Sequence, residues 1–127
     1  MSLFSGVEHV AIAAKDPKAL ARWYCSTFGF NTAYESTTSL TTIVRLGGSL
    51  IEIVEATNGD RVAHGEKDAG LRHIAITVTD IHKAYDRLKS TGVKVKSEPQ
   101  EKNGVWTVFL TDPEENLLHL IQRSKAL

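Results

Sequence analysis

Apolar and polar positions along the chain fall into two successive copies of one pattern. His9-Val10-Ala11-Ile12 followed by Asp16 returns as His73-Ile74-Ala75-Ile76 followed by Asp80. In each copy a short alternating run gives way, at the Asp, to apolar residues spaced three and four apart, as a strand leading into a capped helix requires. After Asp16 comes Pro17, a favoured first helical residue, and Leu20, Trp23, Tyr24 and Phe28 form one face before Gly29 ends the helix. After Asp80 the stripe is Ile81, Ala84, Tyr85 and Leu88, and Gly92 sits where a left-handed C-terminal residue is wanted.

Behind each helix the period changes to two. Phe30 to Glu35, Thr41 to Leu46 and Leu50 to Glu55 read as strands in the first half, with Gly47-Gly48 as a tight turn. Val93 to Lys96, Val105 to Leu110 and Leu117 to Gln122 read likewise in the second, with turns at Asn103-Gly104 and at Asp112-Pro113-Glu114-Glu115-Asn116. The expected fold class is α+β: two βαβββ modules with their helices outside a curved sheet. The modules, of about residues 7–56 and 70–122, are joined by a polar segment around Thr57 to Gly70 and belong to one domain spanning residues 1–127.

Strand alternation then isolates four polar residues. Val10 and Ile12 must face the first helix, which turns His9 to the opposite face, and Ile74, Ile76 and Val78 do the same for His73. Glu52 interrupts an apolar strand between Ile51 and Ile53, and a carboxylate there needs a partner because burying it unpaired costs several kcal/mol. His119 stands at the corresponding place in the last strand of the second half, within Leu117-Leu118-His119-Leu120-Ile121. Taken singly, each residue reads as an ordinary strand residue, either hydrogen-bonded or solvated. Taken together, three imidazoles and one carboxylate at paired repeat positions predict a divalent transition-metal site of Zn, Ni, Fe, Co or Mn, with His9, Glu52, His73 and His119 as ligands.

Composition narrows the setting. At 127 residues with 42% apolar and 24% charged residues, the chain is long enough and apolar enough to bury a core. Fifteen basic residues balance fifteen acidic ones with no basic run, so neither nucleic acid nor an anionic membrane is the expected partner, and a small molecule is. The one cysteine, Cys25, cannot form an intrachain disulfide and lies in a helix among aromatic residues. It is read as unreactive, and the expected compartment is the cytoplasm. No segment has the roughly 18 consecutive apolar residues of a membrane span, and the amino terminus lacks a secretory pattern. Trp23, Tyr24 and Tyr85 have core spacing, Trp106 and Arg45 are read as surface packing on strands, and His64 and His82 as solvated positions.

Several of these segments resemble the glyoxalase, bleomycin-resistance and extradiol-dioxygenase superfamily, the vicinal oxygen chelate proteins. They are Glu8-His9-Val10-Ala11-Ile12, Thr27-Phe28-Gly29-Phe30, Ile51-Glu52-Ile53, Leu71-Arg72-His73-Ile74-Ala75, and the Asp112-Pro113 turn leading to Leu118-His119-Leu120. The resemblance implies a cup-shaped half-barrel around a divalent ion and places His9, Glu52, His73 and His119 on the ligand strands. It further implies a lyase or isomerase acting on a small vicinal-oxygen substrate through a metal-stabilised enolate or enediolate, with Glu52 as the catalytic carboxylate. The alternatives within the same resemblance are an Fe(II) ring-cleaving dioxygenase and a metal-free drug-binding module. A homodimer is expected, because open half-barrels leave edges and apolar faces to cover.

Two departures from the glyoxalase pattern matter. The last ligand position, usually Glu, is His119. The Arg and Asn that hold glutathione, four residues beyond the first and second ligands, are replaced by Ala13 and Ala56. A substrate other than a glutathione conjugate is expected.

Overall fold

In a computed structural model the chain is described over residues 2–59 and 65–127. His64, in the connector, lies outside the described residues. The chain divides into two compact units, Met1–Arg61 and Val62–Leu127.

The first unit runs β1 (His9–Ala14), α1 (Pro17–Phe28), β2 (Asn31–Glu35), β3 (Thr42–Leu46) and β4 (Ser49–Glu55). Its sheet has the order β1-β4-β3-β2, with β1 parallel to β4 and the other neighbours antiparallel. The second runs β5 (Ile74–Thr77), α2 (Ile81–Ser90), β6 (Gln100–Lys102), β7 (Val105–Thr111) and β8 (Leu117–Arg123), in the matching order β5-β8-β7-β6. The doubled βαβββ topology is therefore present, and neither sheet is closed.

Both helices begin as the sequence requires. The Asp16 carboxylate accepts from the Ala19 amide at 3.1 Å, and Asp80 accepts from Lys83 at the same distance. Each satisfies one of the amide donors left over in a first helical turn. The ends also follow the glycines. Gly29 (φ +82°) donates its N–H to the Cys25 carbonyl. Gly92 (φ +79°) donates to the Lys89 carbonyl while Val93 donates to that of Leu88, a Schellman closure that a β-carbon would strain.

Each helix lies on the face its strand parity predicts. Ile12, Ala14, Val44, Ile51 and Ile53 are buried, as are Leu20, Ala21 and Tyr24 of α1. Tyr24 stacks edge-on against Trp23 and Phe30. On this side Lys18 reaches over the sheet to Glu35 (3.5 Å) and to the Thr42 hydroxyl (3.2 Å). In the second unit Ile76, Val108, Leu110, Leu118 and Leu120 bury with Ile81 and Leu88 of α2.

One expected strand is corrected. Residues Val93 to Lys96 form no continuous strand: Val95 makes a single bridge to Leu110, and regular pairing resumes only at β6. The Ser97 hydroxyl, rather than a backbone carbonyl, accepts from the Phe109 amide at 3.0 Å, and Pro99 has no N–H to offer, so the edge ladder is interrupted between the two stretches. Strand β5 also starts one residue later than the repeat suggests, at Ile74.

The turn before β8 is pinned by a buried acid. Asp112, 3% exposed, accepts from the amides of Glu114 (2.9 Å) and Asn116 (3.0 Å) and from the Asn116 side chain (2.8 Å). This knot sets where β8 restarts, and with it the register of His119. Replacing Asp112 with Ala removes these three hydrogen bonds and is expected to destabilise the protein by about 2 kcal/mol. Urea unfolding measures this, and an unchanged midpoint would contradict it.

Candidate metal centre

On β1 the residues opposite the α1 side are His9, Ala11 and Ala13; on β4 they are Leu50, Glu52 and Val54. Parallel register sets His9 beside Leu50 and Ala11 beside Glu52, and antiparallel register sets Ile43 on the other flank of Glu52. His9 Nε2 then lies 3.8 Å from Glu52 Oε1, with the side chains 35% and 29% exposed. That separation is too long for a hydrogen bond, yet within the reach of two ligand–metal bonds of about 2.0–2.2 Å each. The other nitrogen, His9 Nδ1, is 3.0 Å from the Glu8 carboxylate.

The second unit repeats the register. Ala75 pairs with His119 on β8, and Phe109 of β7 flanks it, as Ala11 and Ile43 flank Glu52. His73, one residue ahead of β5, meets His119 with ring centroids 4.3 Å apart. Phe109 packs on both imidazoles, at 6.3 Å from His73 and 5.0 Å from His119. The structure thus brings His9 together with Glu52 in one unit and His73 with His119 in the other. Among the described residues, no group of three or more His, Cys, Asp or Glu side chains is placed to hold a metal ion.

His119 is the least ordinary of the four. It is 9% exposed, and its Nδ1 is buried with no hydrogen-bond partner. Burial, then the neighbouring His73, then Arg123, hold its imidazole below the usual histidine pKa. These influences favour the neutral ring, the form that coordinates metal. An unsatisfied polar atom in an apolar strand costs stability, and the donor set of imidazoles and a carboxylate fits a borderline transition metal.

Other residues resolve by face. Trp106 lies on the α2 side, its ring 4.8 Å from that of His82, so it packs against the helix. Arg45 pairs with Leu50 and is exposed on the same face as His9 and Glu52. Tyr85 carries Lys89 over its ring at 4.9 Å. Sequence reasoning gave no role to Glu8, which precedes β1 and escapes strand alternation, or to Phe109, whose place beside His119 follows only once the register is known. Among the described residues no helix is long and apolar enough to cross a membrane.

A family model, Glyoxalase/Bleomycin resistance protein/Dioxygenase superfamily, matches residues 6–120. The chain belongs to this superfamily. A "Probable lactoylglutathione lyase" of Vibrio cholerae is 37% identical over 76 residues, covering 58% of this chain and just over half, 55%, of that relative. A Synechocystis protein of the same description is 29% identical over 126 residues, covering 91% of this chain and 94% of its own. Among solved structures, a glyoxalase family protein from Enterococcus faecalis superposes with a TM-score of 0.77 at 24% identity, covering 95% of this chain and 100% of that one. The fosfomycin resistance protein FosX from Listeria monocytogenes gives 0.75 at 20% identity, covering 94% and 93%. At these identities the structural matches establish the fold.

If the His119 Nδ1 is unsatisfied in the metal-free protein, an apolar residue of similar size should serve stability better. His119→Leu is expected to raise metal-free stability by about 1 kcal/mol, measured by urea unfolding in EDTA. A clear loss of stability would show that the imidazole is satisfied without metal.

Proposed function

We propose that this chain is a metal-dependent lyase or isomerase of glyoxalase type, acting on a small substrate that carries two neighbouring oxygens. His9, Glu52, His73 and His119 are the proposed ligands of a divalent transition metal. The observation that carries this reading is the buried, unpartnered Nδ1 of His119, at the register position that Glu52 occupies in the first unit. Both units serve one functional domain, and the protein works as a cytoplasmic homodimer.

A bound divalent ion would supply Lewis-acid stabilisation of the negative charge that develops on a substrate oxygen as an adjacent C–H proton is removed. The chain's own residues do the rest. Glu52 is the sole carboxylate of the proposed set and therefore the base: one of its oxygens takes the proton and returns it to the neighbouring carbon. His9, His73 and His119 hold the geometry as neutral donors. Phe109, packed on two of the imidazoles, limits their rotation.

The lyase-type relatives support the reaction class, whereas two local features argue against glutathione. Ala13, exposed on the His9 face, and Ala56 offer methyl groups where a charged tripeptide would need hydrogen-bond donors. The substrate is accordingly proposed to be a smaller oxygenated metabolite than a glutathione hemithioacetal.

Protein purified without chelating resin is expected to carry stoichiometric transition metal, lose it to EDTA with a fall in Tm, and recover both on adding metal back. Glu52→Gln should lower turnover on the responding substrate by about 10²–10⁴-fold. A substrate panel that includes methylglyoxal with and without glutathione checks the second point. Absence of metal, with no stabilisation on adding it, would favour a binding module, and full turnover by Glu52→Gln would remove Glu52 as the base.

A further inference from the structure

The two histidines that open the repeats differ in what stands before them. Glu8 precedes His9, and its Oε1 lies 3.0 Å from His9 Nδ1. Arg72 precedes His73 and is turned back onto its own loop, donating to the carbonyls of Gly65 (3.3 Å), Ala69 (3.2 Å) and Gly70 (3.2 Å). Of these two, among the described residues, His9 alone has an acidic neighbour on its ring.

A carboxylate oxygen can only accept, so in a neutral imidazole the proton of this contact must sit on Nδ1. That leaves the Nε2 lone pair bare, and Nε2 is the atom facing Glu52 at 3.8 Å. An imidazole free in water prefers the opposite tautomer, with the proton on Nε2, which would block this nitrogen as a ligand. One hydrogen bond thus selects both the tautomer and the ring orientation that coordination from this side needs.

We propose that Glu8 is a positioning residue for the metal centre, fixing His9 in its Nδ1–H tautomer and committing Nε2 to the ion. The inference rests on the metal reading above. Glu8 is 78% exposed, so its bond competes with water, and its replacement removes no core packing.

The test uses the metal-free protein, with histidine nitrogen NMR recorded well above the ordinary imidazole pKa of about 6.5, and then a Co(II) titration. Wild type is expected to show His9 protonated on Nδ1. Glu8→Ala should return His9 toward the Nε2–H form and weaken Co(II) binding by about 10-fold. Glu8→Gln keeps an accepting oxygen and should retain the tautomer and most of the affinity, a rescue that a merely structural role would not predict. If all three proteins show one tautomer, or Glu8→Ala binds Co(II) as wild type does, the inference falls while the metal reading stands. If wild type binds no Co(II), the metal reading falls and takes this inference with it.

Discussion

Everything at the candidate centre depends on the two-residue period of a strand pressed against a helix. Leu20 and Tyr24 of α1 need apolar partners, and Ile12, Ala14, Ile51 and Ile53 supply them. Once those side chains face the helix, His9 and Glu52 can only face the other way. A slip of one residue would bury the histidine and carboxylate against Leu20 and expose the isoleucines. Core and candidate site are thus two faces of one constraint, and register is held by the energy of burial.

The same constraint explains what could be read from the chain. The helices were legible because Asp16, Asp80, Gly29 and Gly92 each supply a cap or a backbone conformation that few residues can, and the apolar stripes agree with them. The pairing of His9 with Glu52, and of His73 with His119, follows from alternation plus repeat symmetry. The edge around Val93 to Gln100 was not legible, because a Ser97 side chain took over a backbone bond and Pro99 withheld one, which periodicity does not encode. Glu8 and Phe109 escaped for a related reason. One lies just outside a strand, and the other becomes a neighbour of His119 only through cross-strand pairing.

Stability and function pull apart most clearly at His119. Its neighbours Leu118 and Leu120 belong to the core, and the strand would pack as well with an apolar residue between them. Instead it carries an imidazole whose Nδ1 meets no partner, beside a second imidazole and within the influence of Arg123. An arrangement that spends folding free energy on a polar atom calls for a compensating role, and the proposed ligation would provide one.

The replacement of a carboxylate by His119 also changes what the proposed centre can do. With two carboxylates, a divalent ion would be neutralised by its ligands. With Glu52 alone among neutral imidazoles, one positive charge is left, which strengthens the attraction for an oxygen bearing developing negative charge. The same change removes one of the two groups able to accept a proton, so a reaction that needs separate bases on opposite sides of a substrate carbon is poorly served. A single base that removes a proton and delivers it nearby suits this donor set. The alanines at positions 13 and 56 offer no polar side chain at those two places, while Arg45 is exposed on the same face as Glu52, an arrangement consistent with the compact oxygenated substrate proposed above.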